Sequence, residues 1–133
     1  MKTYIVEDSP IILANLVAAL QELTTAEVVG SAADEATAVK WLLTPENQCD
    51  LIVIDIFLKG GSGLGVLSSA TKAGLPAKRV VLTNYASPDM RRRCTELGAH
   101  RVFDKSSEVE ELIDYCGRVA DGGGDTGVGE LWE

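Results

Sequence analysis

Cysteine is scarce in this chain. Cys49, Cys94 and Cys116 lie far apart in 133 residues and form no Cys-x-x-Cys pair. That excludes a disulfide framework as the basis of the fold and leaves buried or incidental thiols in a reducing compartment. Histidine is scarcer still. His100 is alone and falls in a loop, so neither a histidine relay nor a histidine metal set is supported. No apolar run approaches the roughly 20 residues of a membrane helix. The N-terminus, Met-Lys-Thr-Tyr-Ile-Val-Glu-Asp, puts acids where a signal peptide needs its apolar stretch. A cytoplasmic protein without membrane contact is the simplest expectation. Positive charge is short as well: Lys and Arg number 12 against 20 Asp and Glu, a net charge of −8. A broad basic surface for nucleic-acid phosphates, and with it direct DNA binding, is not expected on that balance. Finally, Gly60-Gly-Ser-Gly63 lacks the Gly-Lys-Ser/Thr ending of a P-loop and reads as a flexible connection.

What is present is one domain's worth of sequence, 46% hydrophobic and 24% charged, an ordinary globular mixture. Five short apolar runs, at Thr3–Val6, Val28–Ala32, Leu51–Phe57, Arg79–Leu82 and Arg101–Phe103, alternate with longer amphipathic stretches. Leu51–Phe57 is apolar on both alternating faces except for Asp55, as in a strand covered by helices on both sides. In the first intervening stretch, Ile12, Leu13, Leu16, Val17, Leu20 and Leu23 share a helical face behind a cap at Ser9 and Pro10. Asp34, Ser62 and Ser87 are placed to cap the next three helices, with Gly74 and Gly98 as stops. Ser106 or Ser107 is expected to open the fifth. The pattern is an α/β (βα)5 fold, a parallel sheet doubly wound with helices. Residues 1–120 are expected to form the domain. Residues 121–133, with five glycines, are expected to be a flexible C-terminal tail.

In open parallel sheets, sites form at the carboxyl ends of the strands. There the first strand ends in Glu7-Asp8, the third holds Asp55, the fourth ends in Thr83-Asn84 and the fifth in Asp104-Lys105. Glu7, Asp8 and Asp55 together repel one another unless a cation neutralises them. Mg²⁺ suits a few carboxylates plus water and a phosphate oxygen. Thr83 and Lys105 can address the other phosphoryl oxygens, and an aspartate in such a group can carry an acyl phosphate. Each residue alone has a bland reading as a solvated strand end or a strand residue. An unpaired acid in a strand as apolar as that of Asp55 is already costly. The joint occurrence at successive strand ends shifts the balance toward function.

These motifs resemble the receiver domain of two-component response regulators over residues 2 to about 119. They are Tyr4-Ile-Val-Glu7-Asp8, Asp55-Ile-Phe-Leu58 followed by Gly60-Gly-Ser-Gly-Leu64, Val80-Val-Leu-Thr83, and Asp104-Lys105 after Gly98-Ala99. The resemblance implies five strands in flavodoxin-like order 2-1-3-4-5. It makes Asp55 the phosphoacceptor, and it makes Glu7, Asp8, Asp55 and the Phe57 backbone carbonyl the holders of Mg²⁺, or of Mn²⁺ in its place. Thr83 becomes the switch hydroxyl and Lys105 the phosphoryl-pairing ammonium. The phosphoryl donor is then a histidine kinase or a histidine phosphotransfer protein, with acetyl phosphate as a small substitute. Downstream partners are met through the fourth helix, fifth strand and fifth helix, the same surface that a homodimer would use. The protein is not an enzyme beyond catalysing its own phosphorylation and dephosphorylation. Phe57 and Tyr85, two residues after the acceptor and the switch threonine, are expected to obstruct in-line water and lengthen the phosphoryl lifetime.

The chain departs from the family pattern at Lys59 and Ser106, where proline is common, and at Val102, where an aromatic switch residue is common. Asn84 stands where a small residue is frequent. Arg91-Arg92-Arg93 reads as a solvated helix face or part of a partner surface rather than a nucleic-acid contact. Competing classes lack their marks. A dehalogenase-type phosphatase or a Toprim domain needs Asp-x-Asp where this chain has Asp55-Ile-Phe57. A flavodoxin-like cofactor binder needs a glycine- and hydroxyl-rich loop where Glu7-Asp8 would repel phosphate.

Overall fold

Residues 1–120 are described by a computed structural model. The expected flexible tail, 121–133, lies outside the described residues. The elements alternate: β1 (Lys2–Val6), α1 (Pro10–Leu23), β2 (Glu27–Ala32), α2 (Glu35–Leu43), β3 (Leu51–Ile54), α3 (Gly63–Lys72), β4 (Lys78–Thr83), α4 (Pro88–Glu96), β5 (Arg101–Asp104) and α5 (Val109–Ala120). All strand pairs are parallel, in the order β2-β1-β3-β4-β5. This is the expected (βα)5 sheet with the expected order.

Alternation along the strands divides the core. Tyr4, Val6, Ile52, Ile54 and Val81 face the side covered by α2, α3 and α4. Ile5, Leu51, Val53, Val80, Leu82 and Phe103 face α1 and α5. Every residue of β3 is buried, so its neighbours hold the central strand on both faces and both edges. Burying each such side chain fully stabilises the fold by roughly 1.5–3 kcal/mol. Cys94 and Cys116 are buried, and burial pushes the Cys116 thiol up to about 12, which leaves it an inert packing group. Leu23, expected on the packed face of α1, is exposed at the end of the helix.

Four helix starts are the expected ones. The Ser9, Asp34, Ser62 and Ser87 side chains accept from the N–H groups of Ile12, Thr37, Leu64 and Met90. The fifth differs. The carboxylate of Asp104 accepts from the N–H groups of Ser106 and Ser107 and from the Ser106 hydroxyl. That local turn withholds both serines from the helix, which begins at Val109 with the Glu108 carbonyl accepting from Leu112. The third strand also ends earlier than its apolar run. Asp55 still donates its N–H to Val6, but Ile56 turns back, its carbonyl accepting from Gly63. All peptide bonds of the described residues are trans, that of Lys105–Ser106 included. Gly98, at φ 108, turns the chain after α4 directly against Thr71 of α3, where no side chain fits.

Candidate functional site

The carboxyl ends of β1, β3, β4 and β5 bring the chemistry-bearing residues to one edge of the sheet. Carboxylate oxygens of Glu7, Asp8 and Asp55 lie within 4.8 Å of one another. Lys105, just after β5, reaches between two of them. Its Nζ is 2.7 Å from Glu7 Oε1 and 3.1 Å from Asp55 Oδ2. The Glu7 side chain is 2% exposed and those of Asp55 and Lys105 are 8% and 10% exposed, so little water screens the trio. The other Glu7 oxygen accepts from the Ser9 N–H at 2.9 Å. Ser9 therefore both caps α1 and fixes the acid beside it.

Burial works against the charge on Lys105, yet its hydrogen bonds to Glu7 and Asp55 prevail and hold its pKa above the usual value. Burial is also the main force on Asp55 and raises its pKa. Lys105 opposes that through a hydrogen bond and its charge, Glu7 adds repulsion, and the Phe57 N–H pulls the other way. Three carboxyl groups meet one ammonium, so acidic groups outnumber the basic one in this pocket. A compact, oxygen-rich, negatively charged group of this kind fits a hard divalent cation.

Thr83 is fully buried at the end of β4. Its carbonyl accepts from the Lys105 N–H at 2.8 Å, and its hydroxyl accepts from the Tyr85 N–H at 3.1 Å. The structure thus links Thr83 to the pocket through the Lys105 backbone. Phe57 and Tyr85 meet each other as an edge-to-face pair, centroids 4.6 Å apart, both more than half exposed. This contact joins the loop after β3 to the loop after β4.

Comparison with known families matches residues 3–116 to the response regulator receiver domain. The chain belongs to that family. Among its curated relatives is the transcriptional regulatory protein YvfU of Bacillus subtilis, 29% identical over 122 residues, spanning 92% of this chain and 60% of YvfU. Another is the nitrate/nitrite response regulator protein NarP of Escherichia coli, 32% identical over 111 residues, spanning 83% of this chain and 50% of NarP. The receiver domain here thus spans about half to three fifths of the length of these relatives. Solved structures with the same fold include the receiver domain of the Francisella response regulator 1452, with TM-score 0.81, 20% identity and coverage of 92% of this chain and 98% of that one. The signal receiver domain of NarL from Mycobacterium tuberculosis aligns with TM-score 0.79 and 23% identity, over 91% of this chain and 96% of that one. Family membership places the chain in two-component, phosphorylation-dependent signalling.

The reading of Arg91-Arg92-Arg93 as a solvated face of this receiver domain needs correction at Arg91. Its guanidinium donates to the carbonyls of Ala86 and Val102, both at 2.9 Å, and to Glu108 Oε1 at 2.7 Å. It fastens the β4–α4 loop, β5 and the start of α5 to α4. Glu108 also accepts from the Asp104 N–H, and these bonds, Arg91's first, hold its pKa below the usual value. Arg92 pairs with Asp89 of its own helix. Phe103, next to the position of the usual aromatic switch, is buried against Tyr115 on the α1/α5 side. Val102 instead offers its carbonyl to Arg91. Sequence spacing gave no sign of this clamp, since its acceptors are mostly backbone oxygens.

Proposed function

We propose that this receiver domain is a phosphorylation-activated switch that accepts a phosphoryl group on Asp55 from a histidine kinase or a histidine phosphotransfer protein. The observation that carries the reading is the buried pairing of Lys105 with both Glu7 and Asp55, with Asp8 alongside. An Asp55 carboxylate oxygen attacks phosphorus. The bond from phosphorus to the donor nitrogen, or to the carboxyl oxygen of acetyl phosphate, breaks, and its electron pair leaves with the donor. Glu7, Asp8, Asp55 and the Phe57 carbonyl would hold Mg²⁺ or Mn²⁺. When bound, the ion supplies the positive charge that the pocket lacks and stabilises the phosphoryl group in transit. Lys105 stays beside Asp55 and offers its ammonium to a phosphoryl oxygen. The only reaction assigned to the chain is its own phosphorylation and dephosphorylation.

The output follows from contacts that exist only after phosphorylation. The Thr83 hydroxyl, which accepts from the Tyr85 N–H, turns to donate to a phosphoryl oxygen, and the β4–α4 loop moves with it. That loop is tied through the Ala86 carbonyl to Arg91, and through Arg91 to β5 and α5. The switch therefore biases the α4–β5–α5 surface, where a downstream protein, a second copy or a phosphorelay partner would bind. With Arg91 engaged across elements, Arg92 and Arg93 are left on the exposed face of α4, a small basic patch in a chain of net charge −8, which supports a protein partner over DNA.

The test is intact mass after incubation with acetyl phosphate, with and without Mg²⁺, for the wild type and Asp55→Asn. A Mg²⁺-dependent gain of a single phosphoryl group, lost in the variant, is the expected result. Absence of any gain with acetyl phosphate and with a panel of phosphorylated histidine kinases would refute the reading.

A further inference from the structure

We infer that Glu35, at the start of α2, is a positioning residue for the metal-binding backbone after Asp55; the inference rests on the metal pocket proposed above. Glu35 reaches across 27 residues to the β3–α3 loop. Its N–H donates to the Gly60 carbonyl and its Oε1 accepts from the Ser62 N–H, both at 2.9 Å. Asp34 pairs with Gly60 beside it as an isolated parallel bridge. The carboxylate sits in a cradle made by two glycines. A methyl group on Gly61 or on Gly65 would overlap it, and Gly61, at φ 78, already takes a backbone conformation that side chains disfavour. The run Gly60-Gly-Ser-Gly63, which by composition reads as a flexible connection, is thus pinned from outside.

The tie continues inward. Ser62 forms an isolated antiparallel bridge with Phe57, and the Gly63 N–H donates to the Ile56 carbonyl at 2.8 Å. The peptide units of Ile56 and Phe57 are held on one side by Asp55 at the end of the sheet. On the other side they are held by Ser62, and Ser62 by Glu35. Nothing within Phe57–Gly61 restricts φ by itself, because the loop has no proline. A carbonyl that must meet an ion to within tenths of an ångström needs its backbone fixed, and groups behind the direct ligands commonly do this.

The test measures Mg²⁺ affinity by calorimetric titration of the unphosphorylated domain, together with the acetyl-phosphate reaction rate at saturating Mg²⁺. Glu35→Ala is expected to weaken Mg²⁺ about 10-fold, the low end for a group behind a ligand, while the saturated rate stays within about twofold. Glu35→Gln keeps an oxygen for the Ser62 N–H and is expected to stay within about threefold of wild type. Gly65→Ala, a change that favours the helix, displaces the carboxylate from the opposite side. It is expected to weaken Mg²⁺ as Glu35→Ala does, with no further loss when the two are combined. Gly65→Ala carries the test if Glu35→Ala does not fold. Wild-type affinity in Glu35→Ala, or in Gly65→Ala when it stands alone, would overturn the inference, as would equal weakening by Gln and Ala. A wild type that neither binds Mg²⁺ nor accepts a phosphoryl group would instead overturn the proposed pocket.

Discussion

Replacing Arg91 by Met keeps most of the apolar stem and removes the guanidinium. Three acceptors then lose their donor: the carbonyls of Ala86 and Val102 and the carboxylate of Glu108. Hydrogen bonds from a charged donor contribute about 1.5–3 kcal/mol each when buried. Here the paired side chains are 39% and 32% exposed. Solvent screening at that exposure reduces the ion pair to at most ~1 kcal/mol, and each carbonyl bond to a similar figure. The expected loss is therefore about 2–3 kcal/mol, a large share of the 5–15 kcal/mol typical of a domain. Urea unfolding followed by far-UV circular dichroism measures it. With a slope of 1–3 kcal/mol per molar, usual for small proteins, the midpoint should fall by roughly 0.7–3 M. Arg92→Met is the internal control. Its partner Asp89 lies on the same helix, the pair is 66% and 87% exposed, and the exchange is expected to be nearly neutral. If the two variants unfold at the same midpoint, Arg91 is not a clamp and the proposed route from Thr83 to the α4–β5–α5 surface loses its central link.

Lys105→Met leaves Glu7 and Asp55 buried without their shared cation; a loss of about 3 kcal/mol in metal-free buffer is expected, read by the same unfolding assay. Asp55→Asn should stabilise the metal-free domain, because folding raises the Asp55 pKa and so disfavours its ionised form. Its gain should be absent below the ordinary value of 3.8 and grow as pH rises through the native one, while Mg²⁺ should raise the melting temperature of the wild type more than that of the variant. Glu108 has the opposite sign: its lowered pKa gives stability above the ordinary 4.5 that is lost as pH falls through the native value, so Glu108→Gln should flatten the acid limb of a stability–pH profile. Phe57→Asn should shorten the phosphoryl lifetime on Asp55, measured by phosphate release after the donor is removed, because it opens the edge-to-face contact with Tyr85; an unchanged or slower loss would sink the idea.

The strand and helix order was legible because each β-run is short and apolar and each helix has a capping side chain in sequence. The meeting of the strand ends was legible for the same reason: parallel strands collect their carboxyl ends at one edge, which brings Glu7, Asp8, Asp55 and Lys105 together. What failed was local competition. Asp104 drew Ser106 and Ser107 into its own turn, which propensity alone cannot rank against a helix start. Arg91 and Glu35 were missed because most of their partners are backbone groups in other elements or loops. A side chain that bonds to backbone leaves no complementary residue to find.

Those missed residues divide the loops around the pocket into two kinds. On the Asp55 side, Glu35 and Asp34 fasten the β3–α3 loop to α2 through a backbone hydrogen bond, an isolated bridge and a carboxylate that accepts from the Ser62 N–H beside two glycines. On the Thr83 side, the β4–α4 loop is held by the half-exposed Arg91 and by a hydroxyl whose partner is a single N–H. A phosphoryl group on Asp55, as proposed, would act on both. The first side is held by several bonds at once, so on phosphorylation it would orient the phosphoryl group rather than move. The second can gain a hydrogen bond donated by the Thr83 hydroxyl and carry the change through Arg91 to β5 and α5. Displacement on phosphorylation should therefore be confined to the β4–α4–β5 side, with the α2–α3 side acting as the fixed frame against which it moves.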